Sequence, residues 1–343
     1  MINLLCSGLA PSVVIPHQCG AFLLAVKKKG GSLQPIAVGE VLRRLVSKCI
    51  SRVVNREASD ALSPLQVGVG VPLGCESVVH AMNSVQDDPH IPSGAKWSLL
   101  LDFSNAFNCV NREMMFEEVR ARIPSIAAWM ECCYGAQPLL HFGDHTILSC
   151  CGVQQGDPLG PLGFALALHP IVERINRELS TLLINVWYLD DGTLCGSAQD
   201  LLKALAIIEE EGPSRGLYLN RSKSVLFIPK DDVFSHNPLP CDIPVVREGY
   251  NLLGCPIGSP AYCASSVFRR VKKMQEIIAF CQPWTIHKWR LHSYVCVLLF
   301  LSSPFLSGPA LLFTSGKPLL HLTSPCLKQF QIWWVVLYLT GPG

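Results

Sequence analysis

Asp190-Asp191-Gly192 stands between two apolar segments, Leu182 to Leu189 before it and Thr193-Leu194-Cys195 after it, and no other arrangement in the chain constrains the fold as much. An Asp-Gly pair between such segments reads as the tip of a β-hairpin, with Gly192 supplying the positive φ that a primed turn requires. The two carboxylates then sit on a short, stiff loop. Taken alone, the stretch also fits a solvated Asp-Gly turn, the commonest use of that dipeptide. A third carboxylate bears on the choice. Trp97-Ser98-Leu99-Leu100-Leu101 is a continuous apolar run that reads as a buried strand, and Asp102 stands where it ends. An unpaired carboxylate in an apolar setting costs several kcal/mol, so Asp102 should be protonated, paired or bound to metal.

With Asp190 and Asp191, 88 residues further on, Asp102 could hold two divalent ions. Two metals about 3.5–4 Å apart clamp the attacking and leaving oxygens of an in-line phosphoryl displacement, and hard oxygen ligands favour Mg²⁺ or Mn²⁺. The surrounding pattern supplies helices to back these strands. Asn111 can cap a helix in which Met115, Val119 and Ile123 recur, ended by Pro124. Leu168, Ile171, Val172, Ile175 and Leu179 form a longer apolar stripe. Ser197 with Asp200 resembles a capping box, and Leu201, Leu205 and Ile208 follow before Gly212-Pro213 stops the helix. Strand, helix, helix, hairpin, helix, strand in that order predicts an α+β domain with an antiparallel sheet and helices on one face.

Leu101-Asp102-Phe103-Ser104-Asn105-Ala106-Phe107-Asn108 and Tyr188-Leu189-Asp190-Asp191 resemble motifs A and C of a reverse transcriptase. Between them, Gly152-Val153-Gln154-Gln155-Gly156-Asp157-Pro158-Leu159-Gly160-Pro161-Leu162 resembles motif B of the non-LTR (LINE-like) retrotransposon type. Gly216 to Ser224 is similar to motif D, and Leu252 to Gly258 to motif E, in the family's order. Upstream, Lys27 to Ile36 and Val41 to Lys48 are similar to the fingers segment, although Gln34 stands where the family usually has an Arg before Pro-Ile. Leu65-Gln66-Val67-Gly68-Val69-Gly70 resembles the family's Gln-Phe-Gly-Phe segment, with Val in both aromatic positions.

This resemblance implies a right-hand polymerase fold: a fingers-like segment at 1–96, an antiparallel-sheet palm with motifs A to E at 97–260, and a truncated or degenerate thumb with an atypical apolar tail at 261–343. The implied activity is RNA-directed DNA polymerisation, extending a primer 3′-hydroxyl with dNTPs by two-metal phosphoryl transfer. Asp102 and Asp190 would bind the metals, with Asp191 a weaker ligand. Backbone groups near Phe103 would meet the triphosphate, and Phe107 would lie beneath the sugar and exclude a 2′-hydroxyl. Gln155 and Gly156 would line the nucleotide pocket. Lys223 would protonate the departing pyrophosphate, and Arg43, Arg44 or a lysine would take over the cationic contact that Gln34 lacks. Phe107 also fits a simple core side chain, and Lys223 a solvated charge at a strand end. The implied partners are an RNA template, a DNA or RNA primer and dNTPs, with no obligate protein partner and no membrane.

Two other classes remain open: a catalytically inactive nucleic-acid-binding fragment of a degenerate retroelement, and an RNA-directed RNA polymerase. The latter needs a small or polar residue where Phe107 stands. A net charge of +2 is low for a protein that grips phosphates. The charge is uneven, however, since residues 1–75 carry eight Lys or Arg against three acidic residues. The 16 cysteines include the adjacent pairs Cys132-Cys133 and Cys150-Cys151 and no Cys-x-x-Cys, so they read as small core residues rather than zinc ligands. With no secretory signal at Met1, an intracellular protein is expected, nuclear or cytoplasmic. Leu291 to Gly316 has no Asp, Glu, Lys or Arg but is broken by Ser302-Ser303-Pro304 and Ser307-Gly308-Pro309. It fits a mistranslated tail, a thumb remnant or a membrane segment.

Overall fold

The computed structural model describes residues 11, 13–27, 33–135, 137–232 and 239–281, all within one compact unit. The lysine run after Lys27, the side chain of Gln34 and the tail at 285–343 lie outside the described residues. Among the described residues, no helix is long and apolar enough to cross a membrane.

The site is carried by a five-stranded sheet in the order β6-β7-β3-β8-β9. Its strands are β3 (Trp97–Leu101), β6 (Ile184–Tyr188), β7 (Asp191–Gly196), β8 (Val225–Phe227) and β9 (Val245–Val246). The first four run antiparallel to their neighbours, and β9 lies parallel to β8. Period-two alternation sorts the side chains. Trp97, Leu99, Leu101, Trp187, Leu194 and Leu226 join one core cluster with α4 (Arg112–Arg122), α5 (Ala127–Tyr134), α6 (Gly160–Glu178) and α7 (Ala198–Glu211). Trp97, Trp129 and Trp187 are all under 2% exposed. Each such side chain contributes about 4–6 kcal/mol of transfer free energy, before entropy is charged against it.

The helices start and stop where the sequence places them. The Asn111 side chain accepts from Glu113 N at 2.9 Å at the head of α4. Ser197 Oγ accepts from Asp200 N (3.2 Å) and donates to Asp200 Oδ2 (2.7 Å) at the head of α7. Helix α6 starts earlier than its apolar stripe suggests, because Gly160 and Pro161 of the motif B string already form its first turn.

Three features depart from the sequence-based expectation. Helices do not cover one face alone. The opposite face, with Ile184, Cys195 and Phe227, packs on α3 (Gly74–Asp87) and on the hairpin of β10 (Gly249–Leu252) and β11 (Cys255–Gly258). A second sheet, β2-β1-β4-β5, joins β1 (Ala21–Lys27) and β2 (Leu33–Gly39) to β4 (Leu139–Phe142) and β5 (His145–Leu148), so it draws strands from both sides of residue 96. Cys19, Cys133, Cys195 and Cys255 are buried as expected, but Cys49, Cys150, Cys151 and Cys241 are exposed; all eight are free thiols.

Candidate active site

Strand ends bring the three aspartates together. Leu101 on β3 pairs with Gly192 on β7, so continuing that register sets Asp102 opposite Asp191. Both then belong to the sheet face that α3 and the β10–β11 hairpin only partly cover. Asp102 is fixed through its backbone: its N–H donates to Ser224 Oγ at 3.1 Å, and its carbonyl accepts from Asn220 N at 2.8 Å.

The hairpin tip lies two residues earlier than the Asp-Gly rule predicts. Tyr188 pairs with Asp191, which leaves Leu189-Asp190 as the two-residue loop, and Leu189 rather than Gly192 takes the positive φ, at 57°. Gly192 lies within β7 for a different reason: a Cβ there would stand 2.5 Å from the Trp187 ring. The tip is held from outside the sheet. Gln66, 1% exposed, accepts from Leu189 N at 2.7 Å and donates to the Leu189 carbonyl at 3.1 Å.

Desolvation, opposed by a backbone hydrogen bond and reinforced by Asp102, raises the Asp190 carboxyl above its usual range. Desolvation, then Asp190, then Asp102 push Asp191 up to about 6. The Asp191 side chain is nonetheless exposed at the rim, so water screens part of that effect. A divalent cation would relieve both strains, and hard carboxylate donors suit Mg²⁺ or Mn²⁺. Among the described residues, no group of three or more His, Cys, Asp or Glu stands close enough to form a metal cage by itself. Mg²⁺ does not require one, since it is commonly held by one or two carboxylates together with waters and substrate phosphates.

The other sequence-predicted residues spread around this centre. Phe103 is buried and stacks on Trp187 at 6.0 Å between ring centroids. Its bridge to Leu219 is closed by Ser104 N–H to Tyr218 O and Asn220 N–H to Asp102 O, not by its own peptide groups. Phe107 is half-buried against Phe164, with centroids 4.6 Å apart. Gln155 and Gly156 are half-buried in the motif B loop, and a Cβ on Gly156 would lie 3.2 Å from the Ala37 carbonyl of β2. Lys223 is exposed on the turn from Asn220 to Ser224 that grips Asp102. Arg44 is exposed on α1 (Val41–Val53), where it lines a groove of about 600 Å³ with Leu45, Lys48, Arg52 and Pro158.

Arg43 requires a correction. Expected to contact a triphosphate, it is fully buried, and Asp157 Oδ2 accepts from its Nε (3.1 Å) and Nη2 (2.8 Å) while the Cys19 carbonyl accepts from Nη1 (2.7 Å). Tyr134 OH also donates to Asp157 Oδ2, at 2.9 Å; burial, then that carboxylate, keeps the phenol far above its ordinary range and so protonated. Asp157 and Gln66 are the residues that the sequence reading passed over. Both stood inside strings already matched to motifs, where nothing but burial marks them out.

Beyond the geometry, the sequence model of the family described as reverse transcriptase (RNA-dependent DNA polymerase) matches residues 26–257, more than half of the chain. Over 210 residues the chain is 28% identical to the retrotransposable element SLACS 132 kDa protein of Trypanosoma brucei gambiense, covering 59% of this chain but 17% of that protein. The fold is similar to telomerase of Candida albicans in complex with a telomeric RNA fragment (TM-score 0.53, 11% identity, 74% of this chain and 46% of that one). It is also similar to apo telomerase of Candida tropicalis truncated from the C-terminal domain (TM-score 0.52, 13% identity, 72% and 55%). The chain thus spans under a fifth of its retrotransposon relative and about half of these telomerases. With its aspartates at the paired ends of β3 and β7 and its motif strings within the matched span, the chain belongs to the reverse transcriptase family.

Proposed function

We propose that the chain is the polymerase portion of a non-LTR element and extends a primer 3′-hydroxyl with dNTPs on an RNA template. The observation that carries this reading is that Asp102 and Asp191 stand opposite each other on one partly open sheet face with Asp190 in the adjoining turn, Asp102 adding to the cost of ionising Asp190 and both adding to that of Asp191. Asp102, Asp190 and Asp191 would hold Mg²⁺ or Mn²⁺, which supplies Lewis acidity at the phosphoryl oxygens when bound. The residues around them do the positioning. Phe107, braced by Phe164, would set the floor under the sugar and disfavour a 2′-hydroxyl. Gln155 and the backbone at Phe103 would flank the nucleotide, and the exposed Lys223 would give a proton to the departing pyrophosphate. Arg44, Lys48 and Arg52, spaced every fourth residue along α1, offer phosphate contacts in place of the buried Arg43.

Asp190→Ala in the full chain should abolish Mg²⁺-dependent primer extension on an RNA template while the circular dichroism spectrum stays that of the parent. Undiminished extension would remove this mechanism. Parent protein that shifts RNA in a gel yet incorporates nothing would instead identify a nucleic-acid-binding fragment, and preference for NTPs over dNTPs would refute the role of Phe107.

A further inference from the structure

Leu189 is an odd residue to find in the left-handed region. A γ-branched side chain has no local polar group to stabilise that conformation, which glycine and asparagine visit far more readily. Its φ of 57° must therefore be imposed by neighbours. One neighbour meets both of its peptide groups: Gln66 Oε1 accepts the Leu189 N–H at 2.7 Å, and Gln66 Nε2 donates to the Leu189 carbonyl at 3.1 Å. The same Oε1 accepts the Gly68 N–H at 3.0 Å, which fixes the rotamer of the amide.

The backbone on either side is laced to β6. Val67 N–H donates to the Trp187 carbonyl at 2.8 Å, and Trp187 N–H donates to the Leu65 carbonyl at 2.7 Å. Gly68 allows this approach, since a Cβ there would stand 2.7 Å from Leu189 N and 2.8 Å from Leu189 Cγ. A primary amide presents an acceptor and a donor in one plane, and an asparagine would be one methylene short. The residue so held immediately precedes Asp190.

We propose that Gln66 is a positioning residue of the metal site: its side-chain amide acts as a substitute strand partner that locks Leu189 left-handed and so aims the Asp190 carboxylate. This rests on the polymerase reading of the three aspartates, and its test separates the two. Mn²⁺ binding to the full chain is followed by electron paramagnetic resonance, alongside single-turnover primer extension and thermal melting. Gln66→Met, similar in length but unable to make either bond, should weaken Mn²⁺ binding and slow extension about tenfold each, the scale seen when groups behind metal ligands are removed. The KM for dNTP should stay within about twofold, because binding of the nucleotide itself is not altered. Adding Leu189→Asn, which tolerates the left-handed region, should recover part of both losses.

Where the methionine variant does not fold, Gln66→Glu keeps the acceptor for both N–H groups but loses the donor to the Leu189 carbonyl and sets a second acceptor against it. It should show a loss of the same kind. Parental Mn²⁺ affinity and rate in the folded Gln66 variants would overturn the proposal, as would strictly additive effects of the Gln66 and Leu189 changes. Asp190→Ala decides the underlying reading on its own: Mn²⁺ binding that survives it refutes the metal site, whereas Mn²⁺ binding lost there but parental in Gln66→Met refutes only the role of Gln66.

Discussion

Replacing Asp157 by asparagine tests whether Arg43 is a strut or a substrate contact. The substitution preserves shape but removes the negative charge on which the Arg43 Nε and Nη2 and the Tyr134 hydroxyl converge, at 2.8 to 3.1 Å. Both partners of the ion pair are essentially without solvent exposure. Leaving one member of a buried pair uncompensated costs about 3–5 kcal/mol. At about 2–4 °C per kcal/mol for a domain of this size, Tm should fall by about 6–20 °C. Arg43→Met should cost a similar amount by stranding the carboxylate. The double variant, Arg43→Met with Asp157→Leu, should be more stable than either single, because two apolar side chains of similar volume leave no charge buried. Heat and urea denaturation followed by circular dichroism measure these differences, and the KM for dNTP is taken at a temperature where each variant is folded. The reasoning is refuted if Arg43→Met raises that KM while leaving stability within about 1 kcal/mol of the parent, which is the behaviour of a surface contact.

Two further outcomes follow from the geometry. Asp191 carries a folded-state pKa of about 6, above the ordinary value of 3.8, so the metal-free protein holds extra proton between those values. Its stabilising share is complete below about pH 4 and is lost as pH rises through about 6; after screening at this exposed position it amounts to about 1 kcal/mol. Melting curves in chelator should therefore decline over that window, Asp191→Asn should flatten the decline, and excess Mg²⁺ should reverse it. Arg112, buried, donates to the carbonyls of Tyr134, Ser149, Cys151 and Gly152 and to Ser149 Oγ, so Arg112→Lys leaves at least two buried acceptors unpaired. A loss of about 2–3 kcal/mol in urea denaturation is expected, and a change below about 0.5 kcal/mol would refute it.

Strong local signals made much of the fold legible. The five-residue run of β3 ends where its apolar residues end, and Asn111 and Ser197 cap the helices their side chains select. The hairpin tip falls two residues before the Asp-Gly pair because the Asp-Gly rule weighs only the loop. Here the register is fixed by Trp187, whose ring fills the space over Gly192, and by Gln66, which is remote in sequence. The Arg43 error had a remedy in the sequence itself. Arg43, Val46 and Ser47 share one buried face of α1, whereas Arg44, Lys48 and Arg52 share the exposed one, and adjacent helical residues diverge by about 100°. The β4–β5 pair stayed hidden because two four-residue strands with no clear alternation carry little signal before their partner β1 is known.

That pairing has a consequence for how the chain is made. Ala21 and Phe22 meet Leu140 and His141 in parallel, so β1 leaves the ribosome long before its neighbour exists. Until then β1 has an open edge on the side that β4 later takes, and Phe22, Leu24 and Val26, which share one exposed face, add apolar surface beside an edge of the kind that other chains can extend. Non-local parallel contacts also form late and slowly. Synthesis that pauses before residue 140 would prolong the sticky interval, and a recombinant piece beginning after β2 would transfer the bare edge to β4. Yield of soluble protein should therefore depend more on keeping residues 21–39 with the rest than on any single side chain at the metal site.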